Sequence, residues 1–129
     1  MSDCWWWQPA ARGGEVEPGP ITSFEDIAGT TYERQGPGMI SFFYFFEDGT
    51  WHESTNPDLV EDRPIEIYET RFEGTKVFLK QIKGFCEDNP DAIYEIHLLE
   101  NGNLMLVVVE DPCAFRSSAL NNSEYAPVP

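Results

Sequence analysis

From residue 29 to residue 127 the chain runs in short stretches where apolar and polar positions alternate, a period of two that marks half-buried strands. The pattern predicts strands near 29–35, 39–47, 50–55, 64–72, 75–82, 92–99, 103–110 and 121–127. The breaks between them are hairpin signals: "EDGT" at 47–50, "EGT" at 73–75 and "ENGN" at 100–103, where Asp-Gly and Asn-Gly supply the positive φ that tight turns need. Pro57, Pro64, Pro90 and Pro112 fall in loops or at strand starts, where a missing N–H does no harm. No helix of useful length is predicted, and the connections are too short for parallel crossovers, so neighbouring strands should pair antiparallel. An open meander of this size leaves two bare edges, and closure removes them. The expected fold is therefore all-β, an antiparallel up-and-down eight-stranded barrel. "TSFEDIAG" at 22–29 is expected to form one helical turn before it, capped by Thr22 or Ser23 and stopped at Gly29. Residues 8–20, "QPAARGGEVEPGP", read as linker, which divides the chain into an extension over 1–20 and a barrel domain over 21–129.

Alternation also assigns faces. Lys76 and Lys80 should meet water, which sends Val77, Leu79 and Gln81 inward. Tyr94, Ile96 and Leu98 are placed inside and Glu95 and His97 outside. For 64–72 two choices stay open: Tyr68 and Phe72 inward, or Ile65, Ile67, Glu69 and Arg71. A barrel interior lined by Phe43, Phe45, Trp51, Tyr68, Leu79, Tyr94, Ile96 and Leu106 follows, the apolar and aromatic mixture that small-molecule pockets use. Residues 39–46 and 103–109 are apolar on both faces, so something should cover their outer side. The candidates are a second copy of the chain or its own start, where Trp5, Trp6 and Trp7 stand in "CWWWQP". That segment reads as a strap over the outer wall, a plug over the barrel mouth, a dimer contact, or a simple tail.

Composition narrows the function classes. A net charge of −15, from 23 acidic and 8 basic residues, repels phosphate backbones, so nucleic acid is not an expected partner. An acidic, solubilising surface explains the same excess. No apolar run approaches a membrane span of roughly 18 residues, and residues 1–20 lack the basic start and apolar middle of a signal peptide.

Candidate chemistry is sparse. Cys86 in "GFCED" and Cys113 in "EDPCAF" each lie beside a strand end, and we expect them to pair at one rim of the barrel, leaving Cys4 apart. A disulfide implies an oxidising compartment, hence a secreted or extracytoplasmic location, with a cytoplasmic one left open. The absence of C-x-x-C and the distance between His52 and His97 point to no metal site, and no cofactor motif is present. His52 and Glu53 are neighbours on one strand and face opposite ways. Glu95 and His97 share a face, as do Glu69 and Arg71; turned inward, these four would be the acid–base candidates of an enzyme.

"SFEDIAGTTYE", "FYFFEDGTW" and "AIYEIHLLENGNLMLVVVEDPCAFR" together resemble the lipocalin-like, calycin-type barrels found in many bacterial proteins. In that group a helical turn and a glycine followed by an aromatic residue open the first strand, and an arginine near the last strand packs across that aromatic. The matching residues are Tyr32 and Arg116, with Tyr32 one position later than the usual spacing. The resemblance implies a barrel open at one end that binds a small, hydrophobic ligand. Two other readings stay open: a barrel-type isomerase, cyclase or lyase working by metal-free acid–base catalysis, and a structural or self-associating barrel with a filled interior.

Overall fold

The computed structural model describes residues 17–36 and 38–129. In chain order the elements are β1 (Gly19–Pro20), β2 (Thr31–Arg34), β3 (Phe42–Phe45), β4 (Thr50–Ser54), β5 (Glu66–Glu73), β6 (Lys76–Lys83), β7 (Ala92–Leu98), β8 (Leu104–Glu110), α1 (Ala114–Leu120) and β9 (Glu124–Pro127). Strands β2 to β8 pair in sequence, all antiparallel. β9 then pairs with both β8 and β2, which closes an eight-stranded barrel. The short β1 adds to β7, with Gly19 opposite Leu98. All eight expected strands are present; β6 keeps its expected length, shifted by one residue, and the others are shorter by one to five residues.

The expectation of no helix needs correction at α1. Its seven residues span about two turns, too few for a helical period to show, and no side chain caps its start. It is held instead by tertiary contacts through Arg116 and Leu120, four residues apart and both buried.

The register gives the barrel two unlike ends. One carries the tight hairpins 46–49, 74–75 and 99–103. At the first of these, Gly49 has φ +97°, and a Cβ there would sit 3.0 Å from the Thr70 carbonyl oxygen, so only glycine fits without a shift. The "TSFEDIAG" turn plugs this end. The Ala28 N–H donates to the Phe24 carbonyl at 2.8 Å, and Phe24 and Ile27 are buried. The Phe24 ring lies 4.8 Å from Phe45 and 5.3 Å from Phe72. The other end carries the longer loops 35–41, 55–65 and 84–91, together with α1; we call it the helix end.

Between the ends the interior is solid. Phe43, Phe45, Trp51, Leu79, Tyr94, Ile96, Leu106 and Tyr125 are fully buried. Phe43 stacks on Tyr125 at 3.8 Å and meets Trp51 edge-on at 4.9 Å. Each such ring removes about 150–250 Å² from water, about 4–6 kcal/mol at roughly 25 cal/mol per Å². The open choice on β5 falls to Tyr68, which is buried inside, with Phe72 packed partly against the core, while Ile65 is exposed.

The outer wall is covered in part by the chain itself. Phe42, Ser54 and Val60 are buried, and His52 Nδ1 donates to the Val60 carbonyl at 2.9 Å, which fastens loop 55–65 to β4. Tyr44, Phe46 and His52 form an aromatic row outside, with centroids 5.0 and 4.7 Å apart. The expected strap or plug of Trp5, Trp6 and Trp7, and Cys4, lie outside the described residues.

Candidate functional site

At the helix end the inward positions change from apolar to polar. Alternation carries this along each strand: Trp51 then Glu53 on β4, Glu66 then Tyr68 on β5, Leu79 then Gln81 on β6. Glu53 and Glu66 stand directly opposite each other on neighbouring strands. Tyr68 donates to Glu66 Oε1 at 3.0 Å and Gln81 Nε2 donates to the same oxygen at 2.6 Å. Ser41 donates to Glu53 Oε2 at 2.7 Å. Gly84, with φ +132°, makes this floor fit: a Cβ there would lie 2.0 Å from Gln81 Nε2 and 2.8 Å from Glu66 Cγ.

Arg116 reaches down from α1. Its Nε donates to Asp111 Oδ2 at 3.0 Å and its Nη2 to Asp111 Oδ1 at 2.9 Å, a forked pair with both side chains buried. Tyr94 donates to Asp111 Oδ2 at 2.5 Å, and Arg116 Nη1 donates to Gln81 Oε1 at 3.3 Å. Burial pushes the Asp111 carboxyl up, but Arg116 and Tyr94 outweigh it and hold it below the usual carboxylate range. The disulfide joins Cys86 to Cys113, 27 residues apart, and ties loop 84–91 to the start of α1.

Above this polar layer is a pocket of about 70 Å³. Its walls include Glu53, Glu66, Tyr68, Cys86 and Arg116. Its rim is apolar and exposed: Met39 (63%), Ile40 (63%), Ile65 (46%), Phe85 (77%) and Phe115 (59%). The Phe85 and Phe115 rings sit 5.3 Å apart. Five large apolar side chains around one opening make a cluster, whereas scattered single ones would need no explanation.

Glu53 is the most perturbed carboxyl here. Burial, reinforced by the facing Glu66, pushes it up to about 7, against the opposing pull of the Ser41 hydrogen bond and of Arg34.

The eight residues expected to line a cavity all point into the barrel, where they pack on one another; Tyr68 is the one that also lines this pocket. Glu95 and His97 are hydrogen-bonded at 2.8 Å on the outer wall. Glu69 and Arg71 are outside too, with Arg71 4.1 Å over the Phe78 ring and paired with Glu73. The Tyr32–Arg116 contact is replaced. Arg116 lies at the helix end on Asp111 and Gln81, whereas Tyr32 packs 5.9 Å from Phe45 toward the plugged end. Among the described residues, no three His, Cys, Asp or Glu side chains group to hold a metal ion, and no helix is long and apolar enough to cross a membrane.

Sequence reasoning missed Glu53, Glu66 and Asp111 as site residues. The first was within reach, because alternation from Trp51 turns Glu53 inward. Asp111 and the rim were not, since both depend on where loops and α1 fold. Compared with protein-family models, with curated proteins and with solved structures, the chain has no significant match to any.

Proposed function

We propose that this barrel binds a small, largely apolar molecule at its helix end, as the lipocalin-like resemblance implies. The observation that carries the reading is the ring of Met39, Ile40, Ile65, Phe85 and Phe115 around a pocket with a polar floor. Full burial of a large apolar side chain is worth roughly 1.5–3 kcal/mol; these five, about half to three-quarters exposed, forgo a corresponding part of it, and a bound apolar ligand recovers some. Because the interior is packed, the proposed site lies at the barrel's mouth and not at its centre. The disulfide supports an oxidising, extracytoplasmic setting.

The test is titration of the full chain with the neutral apolar dye phenylnaphthylamine, read by dye fluorescence. Saturable binding near micromolar is expected. A double variant, Phe85→Ser with Phe115→Ser, should weaken it about tenfold or more, while melting changes little because both rings are exposed. Binding unchanged by the double variant overturns the reading. The filled interior favours one other reading, a self-associating barrel whose rims meet; sedimentation showing a dimer that the same variant splits would replace ligand binding with that.

A further inference from the structure

Two acidic side chains directly opposite on adjacent strands are destabilising, since their Cβ atoms stand about 4.5–5.5 Å apart. Glu53 and Glu66 are such a pair, and both line the pocket wall. Among the described residues neither makes an ion pair. Their hydrogen-bond partners, Ser41, Tyr68 and Gln81, are all neutral. The one cation in the pocket lining, Arg116, is already bound by its fork to Asp111. Arg34 lies behind Glu53 and pulls on its carboxyl, but it is outside the lining, makes no ion pair with Glu53 and donates to the Ala119 carbonyl at 2.7 Å. The lining therefore carries two carboxyls with no ion-pair partner among the described residues, under an apolar rim, on a chain whose net charge of −15 draws cations toward it.

Size agrees with charge. A pocket of about 70 Å³ has room for a few water molecules, each needing roughly 10–15 Å³. It takes a compact headgroup and leaves the rest of a ligand on the rim.

We infer that the ligand is an apolar amine, with its ammonium group seated between Glu53 and Glu66 and its apolar body held by Phe85 and Phe115. This rests on the ligand-binding reading above. An ammonium has three donors and no acceptor, so it suits two acceptor groups and is a poor partner for Arg116. Seating it favours the ionised form of Glu53, so binding releases a proton wherever that carboxyl starts out neutral.

Glu53 is faced by Arg34 from β2, Ser41 from the loop before β3, Glu66 and Tyr68 from β5 and Tyr125 from β9, with Arg116 across the pocket. Its carboxyl titrates near 7. If only the ionised form binds, affinity scales with that fraction, so binding at about pH 6 should be about tenfold weaker than at about pH 8.

The experiment compares three probes with one apolar body, namely naphthylethylamine, naphthylethanol and naphthylpropionate, by calorimetry on the full chain. At about pH 8 the amine should bind at least about tenfold more tightly than the alcohol, and the carboxylate more weakly than both. Glu53→Gln, which keeps an acceptor for Ser41, should remove most of the amine's advantage and its pH dependence. Glu66→Gln should reduce the amine's advantage over the alcohol. Equal binding of amine and alcohol overturns the inference and leaves the ligand-binding reading standing. Preferential binding of the carboxylate overturns it in favour of an Arg116 anion site. No binding by any of the three overturns both.

Discussion

Replacing Glu53 by glutamine should stabilise the protein at neutral pH and leave it unchanged in acid. The folded protein raises this carboxyl from an ordinary 4.5 to about 7. A raised carboxyl binds its proton more tightly folded than unfolded, so its contribution is most favourable below about pH 4.5. It is lost as pH climbs toward 7. At 1.36 kcal/mol per pH unit the loss amounts to about 3 kcal/mol by pH 8, a large share of a typical domain's stability of roughly 5–15 kcal/mol. Glutamine has no proton to lose and keeps an oxygen for Ser41. The assay is urea unfolding of both proteins at steps from about pH 5 to pH 8. Taking the difference between the two proteins cancels the titration of every other group that the substitution leaves undisturbed. That difference should be small near pH 5, widen by about 1.4 kcal/mol per pH unit, and level off above pH 7 in favour of the variant. A difference flat across the range refutes the reasoning, because it means Glu53 titrates like an exposed carboxyl. Glu66→Gln, which removes the facing charge, should move the window to lower pH.

Arg116→Met should cost about 3–5 kcal/mol in urea unfolding, since it strands the buried Asp111 carboxylate; a loss under about 1 kcal/mol would mean the fork is not closed in solution. Cys86→Ser with Cys113→Ser should lower stability by about 3.5 kcal/mol from the 27-residue loop it reopens. Thiol labelling of the unfolded, non-reduced wild type should find Cys4 alone, and three labelled thiols would rule the bridge out. Trp51→Ala should cost about 3–5 kcal/mol by emptying the centre of the aromatic core, measured the same way.

The barrel was legible because its signals are local. Alternation at Lys76 to Gln81, the Asp-Gly and Asn-Gly turns, and the short connections each act over a few residues, and the observed strands follow them. The disulfide was legible by the same route, since Cys86 and Cys113 flank strand ends that antiparallel order brings to one rim. Helix α1 was hidden because about two turns carry too little period to read, and its stability comes from Arg116 and Leu120 packing on residues far away in sequence. The site was hidden for a related reason. The interior residues were placed inside as expected, yet alternation says which face a side chain takes and nothing of how tightly that face is filled. Phe43 against Tyr125 and Trp51 closes the space that the pattern alone leaves open.

The two ends of the barrel then decide where chemistry is available. At the hairpin end Phe24 and Ile27 fill the opening with apolar contacts. At the helix end the lid is incomplete. Its two most exposed aromatics, Phe85 and Phe115, belong to the two segments that the disulfide ties together, and their rings touch beside it. The bridge therefore fixes the rim as well as the fold. Beneath that rim Arg116 is tied to Asp111, so the groups left to meet an incoming molecule are Glu53 and Glu66. On the ligand-binding proposal, a shallow, apolar-lipped, acid-floored mouth on a solid barrel would select a ligand by its headgroup charge first. The hydrophobic area covered at the rim would then add affinity, with Phe85 and Phe115 setting its selectivity.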